Sequence, residues 1–152
     1  MENDGLHIGL DVGSVSANTV LIDEDKNVVE EHYTRTKGQP LETVLKVLED
    51  ILTRFPADRI RSVSVTGTAG KLIAELLGAE FANEVIAQGK STTHFHPEVK
   101  TIIEMGGEDS KMILVEGEPA NGQYRIEDFS MNTICAAGTG SSRPRGSGPP
   151  PA

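Results

Sequence analysis

Two short stretches of the sequence place a carboxylate and a glycine at the end of an apolar run. In the first, Asp11 is followed two residues later by Gly13, and in the second, Glu104 is followed by Gly106. A glycine at such a turn lets the backbone approach a ligand closely, and the N–H groups of the turn can donate to phosphate oxygens. A carboxylate at that place is suited to hold a hydrated Mg²⁺. These residue types therefore predict phosphate chemistry.

The two stretches belong to an internal repeat. Residues 8–23 align without a gap over residues 101–116, which places residues 11–14 on residues 104–107. Each copy has the pattern of a strand, a short polar turn and a returning strand. A single acid and glycine after a strand is most often a plain hairpin turn. Two copies in register, separated by a complete α/β block, favour a clamp that holds the phosphates of a nucleotide from two sides.

The clamp assigns a role to each candidate residue. Asp11 is expected to orient a metal-bound water, and Glu104 is expected to be the second carboxylate of the site. The remaining candidate nucleotide contacts are Gly13, Ser14, Val15, Ser16 and Asn18 in the first copy, Gly106, Gly107, Glu108, Asp109, Ser110 and Lys111 in the second, and Gly138, Thr139 and Gly140 near the end. Two alternatives stay open. The triplet of residues 138–140 is found as often in plain turns as in phosphate-binding turns, and Lys111 is equally expected as an exposed strand residue. Neither copy has the spacing of a P-loop or of a dinucleotide-binding glycine-rich loop.

The elements that position these residues follow from hydrophobic periodicity. Alternation predicts strands near residues 6–12, 17–23 and 27–36, which would open the fold as an antiparallel sheet. Next come a helix in "PLETVLKVLEDILTRF", a strand in "IRSVSVTG" and a helix in "AGKLIAELLG" closed by its final glycine. The segment "NEVIAQGKSTTHFHPEV" is predicted to be helical in its first half and to end by His96. The stretches "KTIIEM", "KMILVE" and "YRIEDFSMN" predict three more strands.

Composition limits the classes of function. The 152 residues suffice for one domain or two small lobes. A net charge of -9 and the absence of Trp argue against a nucleic-acid partner. No apolar run is long enough to span a bilayer and the first residues lack a secretion signal, so a cytoplasmic protein without a membrane partner is expected. The His94, His96 and Glu98 cluster is expected to be solvated, and the final "SSRPRGSGPPPA" is expected to be disordered.

With these motifs in order, the sequence resembles a known family of ATPases. The stretches "GLDVGS", "VTGTAGKL", "NEVIAQGKS", "EMGGEDSK" and "FSMNTICAAGTGS" are similar to those of the BadF/BadG/BcrA/BcrD type, the activators of 2-hydroxyacyl-CoA dehydratases and benzoyl-CoA reductases. This type belongs to the actin, Hsp70 and sugar-kinase superfamily. The sequence looks more like the N-terminal copy in long multidomain members, since short activators tend to carry Lys at Asn18, Asp at Glu104 and Gln at Glu108.

The resemblance implies a fold and a set of cofactors. It implies a ribonuclease-H-like α/β lobe over residues 1–98 and the opening strands of a second similar lobe over residues 99–141, before a tail over residues 142–152. ATP with Mg²⁺ would bind between the lobes. In the family, ATP hydrolysis drives an electron from a [4Fe-4S] cluster into a CoA-ester dehydratase or reductase. The cluster is shared across a homodimer, and Cys135 would be one of its ligands.

The cysteine count bears on that cluster. Four thiolates are the usual requirement, and the 152 residues contain one cysteine, so two copies would supply two. A stable cluster is therefore expected in full-length relatives and not in this chain alone. Three functions remain open at this point: an ATP-dependent activator or a piece of one, a truncated non-catalytic nucleotide-binding fragment, and a small-molecule kinase on the same fold.

Overall fold

The computed structural model describes residues 5–105, 110–118 and 123–132 of the chain. It is a mixed α/β structure, as predicted, and it divides into two compact units between Ala87 and Gln88. In the described part, the first unit contains a five-stranded sheet and the second a three-stranded sheet. None of the helices there is both long enough and apolar enough to cross a membrane.

The first sheet has the strand order β3-β2-β1-β4-β5. Strand β2 pairs antiparallel with both β1 and β3, which confirms the predicted antiparallel opening. Strand β4 pairs parallel with β1 on the other side, and the short β5 pairs parallel with β4. The strands are β1 Leu6–Val12, β2 Ser16–Asp23, β3 Val28–Arg35, β4 Ile60–Thr66 and β5 Glu80–Phe81.

One face of this sheet carries the core. Alternate residues of β1 are buried from Leu6 to Val12, because successive side chains of a strand point to opposite faces. Helices α1 (Pro40–Arg54) and α2 (Gly70–Leu77) contribute Val44, Ile51, Ile73 and Ala74 to the same cluster. Burying one such aliphatic side chain contributes about 1.5–3 kcal/mol. The intervening residues of β1, including Asp11, are left on the opposite face.

The helix boundaries follow the predicted signals. Pro40 occupies the first turn of α1, and a short 3₁₀ turn, Ala57–Arg59, leads from α1 into β4. Gly78 ends α2 in the left-handed region at φ +64, as its glycine predicted. Helix α3 spans Glu84–Phe95, so it ends by His96 as predicted, and it extends beyond the first half of the segment. Proline restricts mainly the residue before it, and the helix therefore continues almost to Pro97.

The second unit contains the antiparallel strands β6 (Thr101–Met105), β7 (Ser110–Glu118) and β8 (Gln123–Asn132) in the order β6-β7-β8. Strand β7 is central, and Ile113 and Val115 on it are buried. Glu104 lies directly opposite Lys111 in the β6–β7 ladder. The predicted domain ranges 1–98, 99–141 and 142–152 stay predictions.

Candidate functional site

Asp11 lies near the end of β1, on the face of the sheet that the helices α1 and α2 do not cover. Its register partners are Asn18 on β2 and Thr66 on β4. The amide Nδ2 of Asn18 donates a hydrogen bond to Asp11 Oδ2 at 3.2 Å. The Asp11 side chain is therefore held by a neutral amide donor.

The turn after β1 is closed by a hydrogen bond within its own backbone and is held by Thr36, the residue after β3. The N–H of Gly13 donates to the carbonyl of Ser16 at 2.9 Å. The hydroxyl of Thr36 donates to the Ser14 carbonyl at 2.8 Å, and the Thr36 N–H donates to the Val15 carbonyl at 3.0 Å. Thr36 is only 2% exposed. A buried residue just beyond β3 thus fixes two consecutive carbonyls of the turn.

Fixing the Ser14 carbonyl also orients the N–H of Val15, which belongs to the same peptide group. In a trans peptide the N–H points opposite to the C=O, so the Val15 N–H points away from Thr36. Within residues 5–105, 110–118 and 123–132, no hydrogen-bond partner is found for the N–H of Ser14 or of Val15. Adjacent backbone N–H groups in a turn are suited to bind an anion. The turn of residues 13–16 therefore carries N–H donors of the kind that phosphate binding needs. Asp11 and this turn together are called the acid-turn below.

A groove of about 530 Å³ lies on the sheet of the first unit, and Asp11 is one of its lining residues. Asp11, Asn18 and Thr66 are among its lining residues, together with side chains of β3 such as His32 and Tyr33. The Thr66 hydroxyl oxygen is buried and has no partner among the described residues. A buried orphan hydroxyl marks a place for an ordered water or ion.

These donors fit the predicted Mg²⁺. The cation prefers oxygen ligands, keeps several of its waters and is commonly bound through one or two carboxylates together with substrate phosphates. Asp11 would supply the carboxylate, and the Thr66 hydroxyl would accept a hydrogen bond from a water of the hydration shell or donate one to it. Within the described residues no group of three or more His, Cys, Asp and Glu side chains forms a metal cage. His96 and Glu98 are largely exposed, with their side chains 3.7 Å apart.

The second predicted hairpin contains a buried ion pair. Lys111 Nζ donates to Glu104 Oε2 at 3.1 Å, and the two side chains are 3% and 26% exposed. The alternative that Lys111 is an exposed strand residue was therefore wrong. Its stem is buried on the central strand of the sheet, and the carboxylate opposite it balances its charge. Ser110 begins β7 opposite Met105.

Several predicted site residues lie outside the described residues. They are Gly106, Gly107, Glu108, Asp109, Cys135, Gly138, Thr139 and Gly140. Three residues near the acid-turn were missed in the sequence: Thr36, Thr66 and Gly67. Gly67 had a signal, since it stands in "VTGTAGKL" between a strand and a helix. Thr36 had none, because its hydroxyl bond to Ser14 spans 22 residues of sequence.

The chain matches the model of the BadF/BadG/BcrA/BcrD ATPase family over residues 8–144. It belongs to that family. Among its relatives, the 2-hydroxyisocaproyl-CoA dehydratase activator of Clostridioides difficile is 30% identical over 88% of this chain and 48% of the relative. The (R)-2-hydroxyglutaryl-CoA dehydratase activating ATPase of Acidaminococcus fermentans is 30% identical over 88% of this chain and 49% of the relative.

A solved member of the BadF/BadG/BcrA/BcrD ATPase family has the same fold. The Clostridium difficile activator of the 2-hydroxyisocaproyl-CoA dehydratase, with bound ADPNP, matches with a TM-score of 0.74 and 30% identity over 89% of this chain and 48% of that one. The predicted resemblance and the ribonuclease-H-like α/β fold class of the actin, Hsp70 and sugar-kinase ATPases are therefore confirmed. The chain spans about half the length of these relatives.

Proposed function

We propose that this chain is the nucleotide-binding part of an ATP-dependent activator and that ATP with Mg²⁺ binds at the acid-turn. The observation that carries the proposal is the pair of N–H groups on Ser14 and Val15, which have no hydrogen-bond partner among the described residues and lie in the turn that follows Asp11. A phosphate chain needs both features: N–H donors for its oxygens and a carboxylate for its metal ion.

Each residue of the acid-turn has a separate task in this proposal. The N–H groups of Ser14 and Val15 donate to phosphate oxygens. Asp11 orients a metal-bound water, and Asn18 keeps the carboxylate in place. When bound, Mg²⁺ neutralises charge on the transferring phosphoryl group. Phosphoryl transfer depends chiefly on positioning and charge, so a turn whose carbonyls are fixed by Thr36 suits it.

The second hairpin is proposed to contribute nucleotide contacts of its own. Its predicted contacts are Glu104, Gly106 to Lys111, and the triplet Gly138 to Gly140. The Glu104 carboxylate is paired with Lys111, whereas Asp11 is paired with a neutral amide. Asp11 is therefore the stronger candidate for the metal, and Glu104 forms an ion pair with Lys111 between the facing strands β6 and β7.

The partner is proposed from the relatives. Their names describe activators of 2-hydroxyacyl-CoA dehydratases, and we extend this to a CoA-ester dehydratase or reductase as the partner of the whole protein. Nucleotide state would then select between two arrangements of the activator. The [4Fe-4S] cluster does not fit these 152 residues, because they hold one of the four thiolates it requires. No electron-transfer step is therefore assigned to this chain, and the homodimer and the cytoplasmic location stay predictions.

Calorimetry tests the proposed site directly. Mg-ADPNP is titrated into the wild-type chain, into Asp11→Ala and into Asp58→Ala. Asp58 is an exposed aspartate in the 3₁₀ turn that precedes β4, and its variant is the control. We expect Asp11→Ala to weaken binding by about tenfold or more, roughly 1.4 kcal/mol, and Asp58→Ala to bind as the wild type does. EDTA should remove most of the difference between wild type and Asp11→Ala. Equal binding by both, in the presence of Mg²⁺, would remove Asp11 from the site.

A further inference from the structure

Gly67 lies in the turn between β4 and α2, against the Asp11 side chain. Its φ is +90, a conformation that residues with a side chain rarely adopt. A Cβ atom added at Gly67 would lie 2.6 Å from Asp11 Oδ1 and 2.6 Å from the Val12 carbonyl oxygen. Real Cβ atoms do not approach other atoms so closely. Any other residue at position 67 must therefore displace the carboxylate or the end of β1.

The turn that contains Gly67 is tied to the same strand. The N–H of Ala69 donates to the Val12 carbonyl at 2.9 Å, and the N–H of Gly70 donates to the Gly67 carbonyl at 2.9 Å. The first bond joins this turn to the strand end that carries Asp11, and the second closes the turn where α2 begins. The position of the Gly67 backbone is therefore fixed relative to Asp11 by two hydrogen bonds.

Asp11 is thus bounded on two sides. Asn18 holds Oδ2 by a hydrogen bond at 3.2 Å, and the Gly67 backbone limits the space beside Oδ1. A carboxylate that orients a metal-bound water must be held in place, since a misplacement of about 1 Å costs a catalytic site roughly a hundredfold in rate. A backbone contact limits such a movement more firmly than a flexible side chain would.

We propose that Gly67 is a positioning residue for Asp11, because a side chain at position 67 would occupy the space beside Asp11 Oδ1. This inference rests on the proposed function for its catalytic meaning, since Asp11 must be the metal-orienting acid. The contact between Gly67 and Asp11 is independent of that assignment.

The test compares two glycines with positive φ. Gly78 also lies at positive φ, +64, but an added Cβ there meets no atom within 4 Å. Gly78→Ala therefore imposes backbone strain without touching the acid-turn. We expect Gly67→Ala to weaken Mg-ADPNP binding by about tenfold or more, and to lower the ratio of affinities with and without Mg²⁺, while Gly78→Ala changes neither beyond about twofold.

A double variant separates positioning from general damage. In the Asp11→Ala background an added Cβ at position 67 no longer meets the Asp11 carboxylate, although it still meets the Val12 carbonyl. Gly67→Ala should therefore lower the melting temperature less than it does in the wild type. It should also cause no further loss of metal-dependent binding. Additive losses in both measurements would overturn the proposal. If Gly67→Ala alone does not fold and the double variant does, the clash with Asp11 is supported.

Two further outcomes are decisive. If both variants fail to fold, position 67 serves the Val12 backbone and not the carboxylate, and the proposal is wrong. If the wild-type chain does not bind Mg-ADPNP, the proposed function fails, while non-additive melting temperatures would still support the contact between Gly67 and Asp11.

Discussion

Asn18 lies directly opposite Asp11 on the neighbouring strand, seven residues later in the sequence, and its Nδ2 donates a hydrogen bond to Asp11 Oδ2 at 3.2 Å. Lys111 repeats this relationship with Glu104, at 3.1 Å and again seven residues apart. The two hairpins therefore share one register and one acid-to-donor contact. They differ in charge, because the first acid faces an amide and the second faces an ammonium.

This difference predicts the effect of exchanging the donor in the first hairpin. Asn18→Lys should raise the affinity for ADPNP without metal and lower the gain in affinity that Mg²⁺ gives, since the ammonium both attracts the phosphates and competes with the cation for Asp11. Calorimetry with Mg²⁺ and with EDTA measures both affinities. Asn18→Ala is the matched control and should leave metal-free affinity unchanged. An unaltered ratio in Asn18→Lys would show that position 18 does not face the phosphates.

Breaking the second pair should cost stability. Lys111→Met leaves a largely buried Glu104 without its ion-pair partner, and such changes cost up to about 3–5 kcal/mol when both groups are fully buried. Because the Glu104 side chain is 26% exposed, we expect about 2 kcal/mol in urea unfolding. Glu104→Leu combined with Lys111→Met should recover most of that loss. A double variant as unstable as the single one would mean that the pair itself is not what Lys111 stabilises.

The register of the repeat could be predicted from the sequence, and much of the acid-turn could not. The gapless alignment placed Asn18 over Lys111 and Asp11 over Glu104, because a hairpin with fixed turn length fixes its own pairing. Strands with clear alternation and helices with a proline start or a glycine end were also predictable. Thr36 was not, since it reaches the acid-turn only through tertiary structure, and the signal at Gly67 did not show that its backbone lies against Asp11. The short β5 carries two exposed residues and gives no periodic signal.

Thr36 provides a test of the turn itself. Thr36→Val keeps the backbone N–H but removes the hydroxyl that donates to the Ser14 carbonyl, and it leaves that carbonyl short of one donor. We expect a loss of about 1–2 kcal/mol in the free energy of unfolding, together with weaker Mg-ADPNP binding. Thr43→Val removes a hydroxyl that donates to Gln39 O at the exposed start of α1, also at 2.8 Å. This control should lose little stability and no affinity, and equal losses in both variants would argue against a role for Thr36 in the turn.

An ion-pair cluster between β3 and α1 gives a prediction for pH. Glu30 accepts hydrogen bonds from Arg54 and His32, and Arg54 also donates to Asp50 at 2.7 Å. The hydrogen bond from Arg54 is the main cause that holds the pKa of Glu30 below its ordinary value, and the hydrogen bond from His32 adds a smaller effect in the same direction. A lowered pKa in the folded state stabilises the fold above the ordinary pKa of Glu, about 4.3, and this contribution is lost as pH falls through the folded value.

Glu30→Gln should therefore flatten the acid side of the stability curve. The variant should lose about 0.5–1 kcal/mol at pH 7 and almost nothing below the pH at which Glu30 is protonated in the folded wild type. Urea unfolding measured from pH 7 down to acid gives both values. Glu49→Gln, an exposed change on α1, is the control and should keep the wild-type slope. Parallel curves for wild type and Glu30→Gln would rule out a role for this cluster.

The central claim is that the acid-turn binds the phosphates of ATP, and amide chemical shifts test it most directly. In a ¹⁵N-labelled sample, saturating Mg-ADPNP should move the amide resonances of Ser14 and Val15 strongly, because their N–H groups would gain phosphate acceptors. The Lys26 amide, in the β2–β3 turn at the other end of β2, should stay in place. Unmoved Ser14 and Val15 resonances in the presence of bound nucleotide would contradict the claim.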